Sequence, residues 1–254
     1  MIAFEKSAEA NEGTSNEWHA GKHFEVCAGL ARDVGTPAEV AAYAERACAA
    51  YCTAGRAQTG AEALGRCAKM IDEKDGDAAV HLFLRACEML EDEDKHVYVA
   101  DYYRAAGAVR MRQEKFTEAA EVMMKLGAAC DVSDSKQTQC KAYLSAVIAL
   151  LYGGNGVDAQ ATYSDCSEVA NFQSTEEQKT AYALLGAYRD ADVDAVRAAV
   201  SSSACVGFLE AVFARAAKKL PLPGHHMKEM SMQMGGAGGV MSAGESFLGE
   251  SDGA

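Results

Sequence analysis

Proline is nearly absent. Only three occur in 254 residues, and two of them, Pro221 and Pro223, fall together after the last helical pattern. The third, Pro37, follows Thr36 at a helix start, where a missing N–H is harmless. Helices are therefore free to run uninterrupted over most of the chain. Strand signals are equally scarce, because no long stretch alternates Val or Ile with polar residues. No 18-residue apolar run occurs, which argues against a membrane span, and no secretory apolar core opens the chain. Basic charge is also short, at 24 Lys and Arg against 37 Asp and Glu. A formal net charge of −13 argues against a general nucleic-acid binder, since an acidic body repels the phosphate backbone.

Cysteine is plentiful by contrast, yet its pattern is uninformative as chemistry. The nine cysteines are an odd number, contain no CxxC pair and fall mostly on apolar helix faces. They read as reduced packing residues of a cytosolic protein.

What the sequence does contain is a recurrence of about 40 residues. The turn Asp75-Gly76-Asp77 returns as Lys115-Phe116-Thr117 and as Asn155-Gly156-Val157. A shift of 40 superposes Tyr43, Phe83, Met123 and Tyr163, and likewise the small residues Ala47, Cys87, Gly127 and Ser167. Small side chains at one phase are what two helices need where their axes approach closely. The preceding helices share Ala63-x3-Cys67, Tyr103-x3-Gly107 and Tyr143-x3-Val147. Each unit is thus a helical hairpin that buries its apolar face only against its neighbours, and a stack of them offers an extended binding surface. The expected fold is all-α: a right-handed, tetratricopeptide-like superhelical solenoid over 1–220, followed by a flexible Gly/Met-rich tail over 221–254.

The expected helix pairs are 15–33 with 37–54, 57–73 with 76–92, 95–113 with 116–131, 136–152 with 156–170, and 174–190 with 192–201. Residues 1–14 read as a helix end and its stop. A last helix over 204–220 carries Val206, Leu209, Val212, Phe213 and Ala216 on one face and closes with Lys218-Lys219, cations that suit its dipole.

Catalytic motifs are missing. No GxSxG or HExxH occurs, and the glycine clusters at 153–156 and 235–239 lack the Lys-Ser/Thr of a phosphate-binding loop. His19 and His23 share a helix face but have no acidic third ligand beside them, and His225-His226 read as solvated residues. No catalytic, cofactor or metal site is expected, and no cofactor is required. A local concentration of cations stands out instead: Arg104, Arg110, Arg112 and Lys115 on the third hairpin, with Lys125, Lys136 and Lys141 after them. In an acidic chain such a strip can guide an acidic helical partner into register, or it can be an ordinary solvated helix face.

Several segments together resemble the soluble N-ethylmaleimide-sensitive factor attachment proteins, the gamma type in particular. Residues Ala63 to Ile71 are similar to a family helix reading ALERAGKLIE, and Lys115 to Ala120 to the gamma-type RFDEAA turn. Cys140-Lys141-Ala142-Tyr143 resembles the gamma-type Cys-Tyr-Lys-Lys helix start. Ala183 to Asp194 resembles the LLEAHEEQNVD segment, and Arg215-x2-Lys218-Lys219 the closing basic helix. The likeness spans about 1–222.

The resemblance implies an adaptor of vesicle trafficking that hydrolyses nothing itself. It would bind a bundle of syntaxin-type SNARE helices and recruit and stimulate a hexameric NSF-type ATPase, which disassembles the bundle after membrane fusion. The protein would be cytoplasmic and reach membranes peripherally, through its partners. By position, Arg66, Lys69, Arg104, Arg110, Arg112, Lys115 and Lys141 become candidates for the SNARE-facing side. Asp190, Asp192 and Asp194 become candidates for the ATPase-facing end, as do Phe247 and Leu248. The family pattern begins with about one and a half further hairpins, including a loop that in the alpha type inserts aromatic residues in the membrane; the expectation is either that this part is missing from this sequence or that the protein has lost that contact and depends on its SNARE partners for recruitment. The alternative is a general tetratricopeptide-like scaffold for another acidic or helical partner, although a period of 40 differs from that family's 34.

Overall fold

A computed structural model describes residues 2–13 and 16–221. Twelve α-helices follow one another with no strand among the described residues: α1 Ile2–Asn11, α2 Glu17–Val34, α3 Pro37–Thr53, α4 Ala57–Ile71, α5 Gly76–Asp92, α6 Ala100–Arg112, α7 Phe116–Val132, α8 Lys136–Tyr152, α9 Gly156–Ser167, α10 Glu176–Arg189, α11 Val193–Ser202 and α12 Ala211–Lys218. Two 3-10 turns, His96–Tyr98 and Ala204–Phe208, interrupt the series. Each helix packs on the next, so α2/α3, α4/α5, α6/α7, α8/α9 and α10/α11 form stacked hairpins.

The period of 40 has a local cause. Asp94, Glu114, Asp134, Gly154 and Ser174 stand 20 apart and all take left-handed backbone, with φ of 56°, 60°, 53°, 78° and 63°. The residue after each of the first four donates its N–H to the carbonyl five positions earlier: Lys95 to Leu90 at 2.8 Å, Lys115 to Arg110 at 3.0 Å, Ser135 to Cys130 at 2.8 Å and Asn155 to Leu150 at 2.9 Å. These are the bonds of a left-handed helix stop, which satisfies otherwise orphaned carbonyls. Side chains then open the following helices. Asp75 accepts from the Ala78 N–H, Asn155 from Asp158, Thr175 from Gln178 and Asp192 from Ala195, and Thr36 with Glu39 completes a capping box ahead of Pro37.

The repeat positions are buried in the first three units, while Tyr163 and Ser167 of the fourth are half-buried. Phe83 and Met123 lie in the core, Tyr43 is 8% exposed, and Ala47, Cys87 and Gly127 are sealed between helices. A Cβ added to Gly127 would fall inside the Tyr143 ring, and one added to Gly65 inside the Tyr102 ring. Both glycines therefore serve close helix approach. Of the nine cysteines, eight are buried and Cys52 alone is exposed.

The last helix differs from its expected form. Residues 204–220 are not one helix: the 3-10 turn ends at Phe208, Leu209 is extended, and α12 begins at Ala211. Gly207 is a poor helix former in the middle of the segment. The break lets Val206 and Leu209 be buried while α12 turns back across α6 and α8, placing Phe213 in the core beside Gly107. Residues 95–99 likewise begin as a 3-10 turn, and α9 stops at Ser167, three residues short of the expected 170.

Candidate functional site: a charged face on the first helices of the hairpins

The expected partner-facing cations sit on the first helices of three successive hairpins, α4, α6 and α8, and on the turn after α6. The structure gives most of them acidic neighbours. Arg110 pairs with Asp77 and, at 2.9 Å, with Glu118, and its side chain is only 14% exposed. Lys115 Nζ reaches the same Asp77 carboxylate at 2.7 Å. Arg112 pairs with Asp72 at 2.8 Å. Arg66 bonds Glu25 at 2.7 Å, and Arg104 bonds Asp101 at 2.7 Å with Glu210 at 3.8 Å.

These pairs follow the period of the fold. The partners of Arg66, Arg110, Arg112 and Lys115 lie 33 to 41 residues away in sequence, on the preceding hairpin. Arg85 and Glu45, at 3.2 Å, add the same link on the second helices. Half of the strip therefore clamps one hairpin to the next. Hydrogen bonds from Lys115 and then Arg110 hold the Asp77 carboxyl well below the usual carboxylate range, at about 2.

Lys69 and Lys141 are different. Lys69 is exposed on α4 and has no ion-pair partner among the described residues. Lys141 on α8 has no ion-pair partner among the described residues, and its Nζ stands 5.6 Å from the Phe208 ring. Phe208 is 70% exposed, an apolar surface residue that the sequence pattern did not single out, because a continuous helix over 204–220 would have placed it without distinction.

At the α10–α11 turn the three aspartates serve local structure and face solvent. Asp192 caps α11 through the Ala195 N–H at 2.9 Å, Asp190 closes α10 beside Arg189, and Asp194 lies 3.5 Å from Arg197. Phe247 and Leu248 lie outside the described residues.

No group of His, Cys, Asp and Glu among the described residues could hold a metal ion. Most of the thiols are unsuited to nucleophilic work. Burial pushes Cys67 and Cys166 up to about 12, and Cys27, Cys130 and Cys140 also rise for that reason.

A stack of helical hairpins bearing an exposed charged face, with most of its thiols buried, defines a protein-binding scaffold. Comparison with known proteins narrows the class. The family model described as "Soluble NSF attachment protein, SNAP" matches residues 2–202. The chain belongs to that family, whose members are adaptors and not enzymes. It is 36% identical over 220 residues to the gamma-soluble NSF attachment protein of Arabidopsis thaliana, covering 87% of this chain and 75% of the relative. To the gamma-soluble NSF attachment protein of Dictyostelium discoideum it is 25% identical over 203 residues, covering 80% of this chain and 62% of the relative. No described helix is long and apolar enough to cross a membrane.

Proposed function

We propose that this chain is an adaptor that lies along a SNARE four-helix bundle and brings an NSF-type hexameric ATPase to it for disassembly after fusion. Membership of the attachment-protein family carries this reading. Supporting it is the placement of Arg66, Lys69, Arg104 and Lys141 on the first helices of three successive hairpins, a row able to follow an elongated acidic partner. Lys69 and Lys141, free of ion pairs, supply the attraction, while Arg110, Arg112 and Lys115 hold the hairpins in the spacing that sets the row. Asp190 and Asp194 face the ATPase, with Phe247 and Leu248 acting at the same end. Association with membranes is peripheral and runs through these partners.

The test is recruitment of the ATPase to a preassembled SNARE bundle, with hydrolysis as a second readout. Lys69→Glu/Lys141→Glu is expected to weaken bundle binding at least about tenfold with an unchanged melting curve. Asp190→Asn/Asp194→Asn is expected to leave bundle binding intact and to lower stimulation. Failure of the intact protein to bind the bundle at all would overturn the reading in favour of a general scaffold for another partner.

A further inference from the structure

Beyond the aspartates of the α10–α11 turn, the end of the described chain is locally basic. Residues 195–221 carry four cations, Arg197, Arg215, Lys218 and Lys219, and one acid, Glu210, within a chain of net charge −13. Three of those cations surround a cavity of about 820 Å3 between α11, the 3-10 turn Ala204–Phe208 and α12. Its walls are aliphatic, formed by Val196, Val200, Val206 and Leu220. Arg197, Lys218 and Lys219 are exposed; Arg197 lies 3.5 Å from Asp194, whereas neither lysine has an acidic partner among the described residues.

The volume falls within the range of small-molecule sites, about 300–1,000 Å3, and an apolar chamber with a few polar groups at its rim is their usual form. The polar groups on the wall are already engaged. Ser201 Oγ donates to the Ala198 carbonyl at 3.3 Å, and Ser203 Oγ lies 2.7 Å from Thr180 Oγ1 and 2.9 Å from Cys205 Sγ. The hydroxyl hydrogens are committed, so no serine is left to donate to a peptide carbonyl, which would be buried unsatisfied at a cost of about 1–3 kcal/mol each. An aliphatic chain needs no such partner, and three cations at the rim attract an anionic head.

We infer that this cavity is a binding site for an anionic single-chain lipid, with its hydrocarbon against Val196, Val200, Val206 and Leu220 and its carboxylate or phosphate between Arg197, Lys218 and Lys219. The inference stands apart from the adaptor reading, since none of these residues belongs to the row on α4, α6 and α8.

Calorimetric titration of the full chain with oleate, below its micellar concentration, tests it. Saturable one-site binding is expected. Lys218→Glu/Lys219→Glu should raise Kd at least about tenfold, and oleyl alcohol, which lacks the charge, should bind at least about tenfold more weakly than oleate. Gly207→Phe tests the chamber itself. Gly207 lines the cavity and an added Cβ there meets nothing within 4 Å, so a ring is accommodated without a clash, and weaker oleate binding with an unchanged thermal melt is the expected result. A parallel titration with lysophosphatidate distinguishes a phosphate from a carboxylate head, saturation by either one supporting the site. Flotation with phosphatidylcholine vesicles containing phosphatidylserine separates a cavity ligand from general attraction to a charged bilayer.

Several results would overturn the inference: no saturation with either lipid, equal affinity of wild type and both variants, or equal affinity for oleyl alcohol. Vesicle binding without binding of free lipid would mark surface charge alone. Binding of oleate only after Glu245→Gln/Glu250→Gln/Asp252→Asn would identify the acidic end of this same chain as the occupant, and capture of an acidic peptide instead of lipid would identify a protein partner.

Discussion

At Gly127 the absence of a side chain is a packing requirement. Tyr143 on α8 occupies the space a Cβ would take, and the ring is 5% exposed, so it has little room to yield. Gly127→Ala is expected to destabilise the protein by about 1–3 kcal/mol despite the higher helix propensity of alanine. A urea midpoint lowered at constant slope would verify it. Asp77 illustrates a different residue-scale effect. Its carboxyl is fully exposed yet titrates near 2 because Lys115 and Arg110 bond its ionised form. A depressed folded value means that its contribution is present above the ordinary 3.8 and is lost as pH falls toward 2. Asp77→Asn should therefore narrow the difference in melting temperature between pH 5 and pH 2.5, measured by circular dichroism in parallel with wild type.

Among the helices and turns, the stop that recurs every 20 residues governs the architecture. Nature has placed Asp, Glu and Ser at left-handed positions where glycine is easiest, and Ala191, with φ of 54°, has no side chain that could compensate by a local hydrogen bond. Ala191→Gly is expected to stabilise the α10–α11 turn by about 0.5–1 kcal/mol, the relieved strain exceeding the entropy glycine adds to the unfolded chain. A small rise in melting temperature, unaffected by pH, is the readout. The turns at 75, 115 and 155 and the small positions at 47, 87 and 127 were legible in the sequence, because each depends on residues within one or two helical turns. The break at Leu209 was not. Val206, Leu209, Val212, Phe213 and Ala216 fit one helical face, and only packing of α12 onto α6 and α8 decides that the chain bends among them, at Leu209.

For the whole molecule, burial and charge pairing make two statements. Eight of nine thiols are inside, so a thiol reagent added to the native protein is expected to modify one group per chain, at Cys52, and the remainder only on unfolding. Mass spectrometry after brief labelling counts them. The cations expected to meet a partner divide into Arg66, Arg110, Arg112 and Lys115, which bind acids of the preceding hairpin, Arg104, which pairs with Asp101 and Glu210, and Lys69 and Lys141, which have no ion-pair partner among the described residues. Arg110→Glu/Arg112→Glu should accordingly lower thermal stability, because each new carboxylate would face Asp77, Glu118 or Asp72, with Lys115 on Asp77 as the remaining cation of the cluster. Loss of partner binding in that variant would report hairpin spacing as much as surface charge, whereas Lys69→Glu/Lys141→Glu leaves every clamp in place.

The amino-acid sequence by itself determined the helices, their period, their caps and the burial of the cysteines, since these follow from hydrogen bonds and apolar spacing within a few residues of each other. It also held the motifs by which the attachment-protein family is recognised. The tertiary structure alone decided which charges are spent. A guanidinium on α6 finds its carboxylate some 33 to 40 residues earlier only once the hairpins are stacked, and no local pattern encodes that distance. The cationic cavity is of the same kind: Arg197, Val206 and Lys218 converge because the chain breaks at Leu209 and folds back, which the packing of Phe213 into the core enforces.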